Sequence, residues 1–260
     1  MELYQCIPAN IRRAATQAGS VDPSAKVAVL VPYRNSDPNH PRAEHLRQFT
    51  AHMTEHLRPN TKVFVVEQSE DGRGFNRGRL LNIGYDLAHD EGYSRFIFHD
   101  VDLLPNEALI IAAYGPDTPS PLHIAKLWDR YNNDPHYFGG IVSMTGEHYR
   151  MSNGFPNNFE KWGGEDQAQY RRLQRAGIRV HVPRVTGGAI RDLEEMDLTQ
   201  KLASLKLGGK GEGSYKNITK NEQLAVDREG WRTDGLNDLN YQVLARNDLS
   251  PIVEKITVEW

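Results

Sequence analysis

Apolar positions along the chain change their period several times, and each change marks an element. Lys26 to Val31 (KVAVLV) is a continuous apolar run closed by Pro32-Tyr33-Arg34-Asn35, which predicts a buried strand ending in a loop. Between Arg42 and Leu57 the residues Leu46, Phe49, Met53 and Leu57 recur at steps of three and four, the spacing of one helical face. Thr61 to Glu67 (TKVFVVE) predicts a second buried strand. Leu80, Leu81, Gly84, Tyr85 and Ala88 share a helical face within Asn76 to Ala88, and Arg95 to His99 predicts a third strand. Strand and helix alternating in this way predict an α/β fold, a mostly parallel sheet flanked by helices, with ligands gathering at the carboxyl ends of its strands.

The second half is less regular. Tyr137 to Val142 predicts a strand interrupted by Gly139-Gly140, where backbone could approach a ligand. Glu165 to Ala176 predicts a helix stopped by Gly177, followed by a short strand from Ile178 to Val182. Ala203 to Glu222 is rich in Gly, Lys, Ser and Asn and has little to bury, so a mobile loop is expected there. Ile252 to Trp260 alternates apolar and polar residues as a half-exposed strand does.

Composition narrows the classes of partner. A formal charge of -3 over 260 residues provides no general attraction to nucleic acid or to an anionic membrane. Cys6 is the single cysteine, so no internal disulfide can form, which suits a reducing compartment. The first 25 residues have no apolar core of signal-peptide length, and no later stretch approaches a membrane span. A cytoplasmic setting is therefore expected, although a trimmed lumenal domain would have the same composition.

Two short stretches carry the chemistry. Phe96 to Asp102 (FIFHDVD) is an apolar run ending in Asp100 and Asp102, two carboxylates placed at a strand end where they can offer hard oxygen ligands to a divalent cation. Asn153 to Asn158 (NGFPNN) leads through Trp162-Gly163-Gly164 into Glu165-Asp166, an acidic pair opening a helix, where one carboxylate can stand beside an incoming hydroxyl. Each has a plainer explanation: solvated carboxylates at a strand end, and acidic residues complementing a helix dipole. Their occurrence together favours a nucleotide-sugar site, with a metal at one end and a base at the other. Asp166 is the candidate base, Glu165 a hydrogen-bonding group for the acceptor, and Trp162 part of a hinged loop. Phe75 and Arg77, like Arg34, could stack on a base and contact phosphate. His99, His148 and His181 are kept as possible metal ligands.

These residues resemble the β-1,4-galactosyltransferase family, inverting transferases of the GT-A type. The resemblance covers VPYRN (Val31 to Asn35), FNRGRLLNIGY (Phe75 to Tyr85), FIFHDVDLLP (Phe96 to Pro105), YFGGIVSMT (Tyr137 to Thr145) and NGFPNNFEKWGGED (Asn153 to Asp166). Towards the end VDREG (Val226 to Gly230) and DGLNDLNYQVL (Asp234 to Leu244) are similar to the family's carboxyl-terminal segment. It implies a single domain over residues 1–260, with 1–25 an N-terminal extension, 26–145 a nucleotide-sugar-binding half and 146–260 an acceptor half containing the loop near 203–222. It further implies that Pro32, Tyr33, Arg34, Phe75 and Arg77 bind uridine diphosphate, that Asp100 and Val101 line the donor, and that Asp102 coordinates Mn2+. Trp162, Gly163 and Gly164 would close over the donor, and Tyr137 matches the aromatic that favours UDP-galactose. The partners implied are that donor and a glycan or glycolipid acceptor.

The departures from the family are specific. Members supply two further metal ligands, histidine or methionine, where this chain has Thr186 to Asp192 (TGGAIRD), which contains neither. Either another residue completes the shell, with His181 the nearest candidate, or the ion is held weakly by Asp102, phosphates and water, or the chain works without metal. The absence of an apparent anchor and of disulfides leads to the expectation of a soluble microbial relative. UDP-N-acetylgalactosamine or UDP-glucose as donor, and a non-catalytic carbohydrate-binding protein, remain as alternatives.

Overall fold

The structure is a computed structural model that describes residues 4–7, 25–35, 41–131, 137–161, 163–183, 188–207 and 220–260. It opens with a short strand β1 (Tyr4–Ile7), then β2 (Val27–Tyr33), helix α1 (Arg42–His56), β3 (Thr61–Gln68), α2 (Arg77–Asp90) and β4 (Arg95–His99). Next come β5 (Leu103–Pro105), α3 (Glu107–Ala113), β6 (Leu122–His123), β7 (Ile141–Thr145), α4 (Gly146–Met151) and α5 (Glu165–Arg175). The chain ends with β8 (Val180–Pro183), β9 (Ile190–Asp192), α6 (Leu198–Leu207), α7 (Lys220–Gly230), β10 (Gln242–Ser250) and β11 (Val253–Glu259).

Nine strands form one sheet in the order β1-β8-β6-β7-β4-β2-β3-β11-β10, and β5 pairs with β9 in a separate antiparallel ribbon. The centre of the large sheet, β4-β2-β3-β11, is parallel; β7 and β10 run antiparallel to their neighbours. Its central strands are apolar throughout because both faces are covered. Val27, Val29 and Val31 of β2 pack in one cluster with Leu46, Phe49 and Met53 of α1, while Ala28 and Leu30 point into a second cluster with Leu80, Ile83 and Ala88 of α2. The period of two along the strand thus divides one hydrophobic run between two layers. Asn76 caps α2 by accepting a hydrogen bond from Arg79 N at 2.9 Å. Among the described residues no helix is long and apolar enough to cross a membrane.

Three expectations change, and a fourth holds. Residues 4–7, within the expected N-terminal extension, form β1 and pair in parallel with β8 at the edge of the sheet. The strand expected over Tyr137 to Val142 begins only at Ile141, because Gly140 adopts a φ of 76° and turns the chain before pairing can start. The loop expected over 203–222 is narrower, since α6 continues to Leu207 and α7 starts at Lys220; residues 208–219 lie outside the described residues. The strand expected at the end is β11, whose positions alternate between buried and part-exposed as the pattern predicts, and it lies between β3 and β10.

Candidate active site

The site begins where β4 ends. The His99 ring is buried, and its two nitrogens meet the backbone oxygen of Asp100 and the hydroxyl of Tyr114, both at 2.8 Å. Burial lowers its pKa to about 4, so the ring is neutral and fully engaged, and it serves as an anchor for the following turn rather than as a metal donor. Asp100 N donates to Gly140 O at 2.9 Å, and Leu103 N donates to Asp100 O at 3.3 Å, which holds Asp100-Val101-Asp102 at the carboxyl end of the sheet.

Arg77, the first residue of α2, joins that turn to the acidic pair. Its Nε donates to Asp100 Oδ1 at 2.8 Å, one terminal nitrogen donates to Asp166 Oδ1 at 2.7 Å, and Glu165 Oε1 lies 3.6 Å away. Two motifs 66 positions apart therefore share one guanidinium. Burial, reinforced by Asp102 and Asp166 against the attraction of Arg77, pushes Asp100 up to about 6. Burial and then the neighbouring Asp166 carboxylate push Glu165 up to about 7, again against Arg77.

The acidic pair opens α5 after Gly163 and Gly164, which have φ values of 94° and 104°. An L-residue at either position would be strained, so the tight entry into the helix needs glycine. Gly139 has a different role: a Cβ there would overlap both the Asp166 carboxylate and the Tyr137 ring. The interruption visible in the sequence is thus the space in which Asp166 sits. Tyr137 is half-buried, with the rings of His123 and Trp128 at 5.4 and 6.2 Å between centroids. Trp162 lies outside the described residues.

A second ionic group surrounds Asp102. Arg42, the first residue of α1, donates to Asp102 Oδ2 at 2.8 Å and to Glu194 Oε1 at 3.1 Å. Glu194 also receives Arg130 at 2.9 Å and Lys201 at 2.6 Å, and Arg130 reaches on to Asp192. Burial works against ionisation of Asp102, but Arg42 outweighs it and holds the carboxyl at about 2. None of Arg42, Arg130, Asp192, Glu194 and Lys201 was expected at the site. The one available signal was the unusual Thr186 to Asp192 stretch; the pairing of β9 with β5 brings its end, Asp192, level with Leu103, and Leu193 N donates to Asp102 O at 2.8 Å.

The remaining predicted residues divide. Pro32 and Tyr33 are buried at the end of β2, Val101 is buried in the turn, and Phe75 is half-buried just before α2, so all four stand at the same end of the sheet as Asp100. Arg34 instead reaches the 70–73 turn, donating to Arg73 O at 2.7 Å with Glu70 and Asp71 at 3.4 and 3.5 Å. His181 does not join Asp102. It pairs with Leu122, Leu122 with Ser143 and Ser143 with Ile97, so it lies three strand spacings away, roughly 14 Å, and level with the middle of β4 instead of its end. The charged groups bearing on it are Arg179 and His148. His148 sits on α4 against Ser120 Oγ at 2.8 Å, also away from the turn.

Asp102 and Asp100 are hard oxygen donors, and a guanidinium already stands in the position of a cation beside Asp102, so the residues suit a divalent ion. Among the described residues no three His, Cys, Asp or Glu side chains are grouped to hold one unaided. The donor set fits an ion of the Mg2+ or Mn2+ kind that takes one or two carboxylates and completes its shell with phosphate oxygens and water.

Comparison with known proteins agrees with this geometry. Residues 10–112 match the family described as the N-terminal region of glycosyl transferase group 7, and residues 120–198 match that described as the N-terminal domain of galactosyltransferase, together more than half of the chain. Human beta-1,4-galactosyltransferase 3 is 31% identical over 245 residues, 92% of this chain and 56% of the human protein. Beta-1,4-galactosyltransferase 1 of Bos taurus is 31% identical over 242 residues, 90% of this chain and 54% of its own. The chain thus spans about half the length of these relatives. The catalytic domain of Drosophila beta-1,4-galactosyltransferase 7, solved with xylobiose, superposes with a TM-score of 0.70 at 27% identity, covering 90% of this chain and 93% of that one. A mutant of it, solved with manganese, UDP-Gal and xylobiose, gives a TM-score of 0.71. With both family regions matched in order and the GT-A fold shared along nearly the whole chain, this protein belongs to the β-1,4-galactosyltransferase family, glycosyl transferase group 7.

Proposed function

We propose that this chain transfers galactose from UDP-galactose to a hydroxyl of a glycan or glycolipid acceptor, forming a β-linkage with a single inversion at the anomeric carbon. The observation that carries the reading is Arg77, which holds Asp100 at the end of β4 and Asp166 at the start of α5 on one guanidinium. A donor seated against the strand ends is thereby placed beside a carboxylate that can receive a proton. Asp166 Oδ1 is occupied by Arg77, while Oδ2 takes up the space that the missing side chain of Gly139 leaves and has no bond to Arg77.

In the transfer the acceptor O–H bond breaks and its proton passes to Asp166. The acceptor oxygen forms a bond to the anomeric carbon, and the bond to the diphosphate breaks on the opposite face, its electron pair leaving with UDP. Holding both substrates in line supplies much of the acceleration. Asp102 would hold a divalent cation, and the chemistry that ion would supply is neutralisation of the charge developing on the diphosphate. Glu165, with its pKa near 7, exchanges its own proton at neutral pH and can hydrogen-bond an acceptor hydroxyl in either sense. In this reading residues 26–145 serve the donor and 146–260 the acceptor. The single cysteine supports a cytoplasmic setting, and fractionation of cells expressing the tagged protein tests it.

The test is Asp166→Asn. UDP-galactose binding by calorimetry stays as in the wild type, while transfer to a panel of sugar acceptors that includes xylobiose falls by about 10²–10⁴-fold. Undiminished turnover would place the base elsewhere. Running the panel with UDP-glucose and UDP-N-acetylgalactosamine tests the choice of donor.

A further inference from the structure

The two carboxylates joined by Arg42 are unequally provided with cations. Glu194 receives Arg42, Arg130 and Lys201, whereas Arg42 is the direct ion-pair partner of Asp102 among the described residues. Moving Arg42 away would leave Glu194 with two direct cationic partners and Asp102, among the described residues, with only the longer-range attraction of Lys201 and Arg130. Asp102 is largely buried, and an uncompensated charge there is costly, so another cation must arrive as Arg42 leaves. The frame would not move: the β5–β9 ladder and the bond from Leu193 N to Asp102 O fix the spacing of Asp102 and Glu194 through the backbone. Arg42 can leave by side-chain rotation, since it sits at the start of α1 with its side chain 23% exposed, against 10% and 5% for its two partners.

We propose that Arg42 is an exchangeable stand-in for the divalent cation at Asp102, and that the metal and the nucleotide diphosphate displace it together. Resting on the nucleotide-sugar reading above, this explains how a site with too few protein ligands for an ion can still bind one. The ion draws its missing oxygens from the diphosphate, and the released guanidinium gains a second anion at the rim of the cleft. Metal and nucleotide binding are then coupled, each tightening the other by the same factor.

The test is Mn2+ affinity measured by the loss of the free-ion electron paramagnetic resonance signal, on the whole chain, with and without UDP. In the wild type Mn2+ alone binds weakly and UDP tightens it by roughly tenfold or more. Arg42→Gln, which removes the competing cation, binds Mn2+ alone roughly tenfold more tightly than the wild type. Arg42→Lys keeps a charge at Asp102 but cannot bridge to Glu194, and gives an intermediate affinity; thermal melting verifies that each variant is folded. An Arg42→Gln protein, or Arg42→Lys if the former does not fold, that binds Mn2+ no more tightly than the wild type overturns the exchange. UDP that binds without changing Mn2+ affinity overturns the coupling. UDP that binds in neither condition overturns the nucleotide-sugar reading itself, whatever Arg42 does.

Discussion

Two arginines hold the stretch from Asn153 to Asp166, one fully buried and one facing the cleft, and their partners stand in different surroundings. Arg172, on α5, has no exposed side-chain surface. It donates to Asp227 from Nε at 2.9 Å and to the backbone oxygens of Asn153 and Gly154 at 3.3 and 2.9 Å. Arg77 faces the cleft, and its bonded partners are the side-chain carboxylates of Asp100 and Asp166. Backbone oxygens have nowhere else to go, and the Asp227 carboxylate has no exposed surface, so Arg172 works as architecture. Carboxylates that reach the cleft, as Asp100 and Asp166 do, can be handed to a metal, a proton or a substrate, so Arg77 holds reactive groups in place while leaving them available. The same residue type therefore builds on one side of the loop and poises on the other, and the difference lies in what it touches.

The largest effect that would break this comparison is on the architectural side. Arg172→Met leaves the buried Asp227 carboxylate with Arg175 at 3.5 Å as its remaining ion-pair partner among the described residues and lowers the free energy of unfolding by about 3 kcal/mol in urea titration. A small loss would mean that Arg172 is dispensable to the fold. Next, Arg77→Lys keeps the charge but cannot span Asp100 and Asp166 with a planar fork. Turnover falls by roughly 10²-fold or more while unfolding changes by about 1 kcal/mol or less, which steady-state kinetics and urea titration on one preparation separate. Asn157→Ala removes the amide that donates to Gly235 O and Asp238 Oδ1, both at 2.7 Å, and leaves the Asn82 Nδ2 donor short of an acceptor. It costs about 1–3 kcal/mol of stability, read from the same titration.

The last test is a pH dependence. Glu165 has a folded pKa raised from 4.5 to about 7, so between those values the folded state binds its proton more tightly than the unfolded chain does. Stability from this group is present below pH 4.5 and is lost as pH rises towards 7. Glu165→Gln removes that loss: its midpoint advantage over the wild type is absent in acid, grows from pH 4.5 to about 7 and then levels off. A constant difference across the range would mean that Glu165 is not held protonated by its surroundings.

Much of the scaffold was legible in the chain. Leu46, Phe49 and Met53 do face the sheet from α1, and the runs at Lys26 to Val31, Thr61 to Glu67 and Arg95 to His99 are its central strands, because a run covered on both faces must be apolar whatever surrounds it. Short elements escaped notice. β5, β6 and β9 have two or three residues each, too few for a period to appear, and β10 is exposed for most of its length and so carries no hydrophobic signature. The DxD turn, the acidic pair and Arg77 were recognisable as motifs, but nothing in their spacing tells that one guanidinium joins them.

Sequence by itself determined the layered α/β body, the family and the residue types at the strand ends, since these depend on local periodicity and contiguous motifs. Tertiary structure alone decided which charges meet. His181 is near Asp102 in neither register nor direction, whereas Arg42, Glu194, Arg130 and Lys201, scattered from 42 to 201 along the chain, surround it. The reason is physical: a strand period specifies which face a side chain takes, but ion pairs depend on distances of a few ångströms between segments, and those are set only when the sheet order and register are complete.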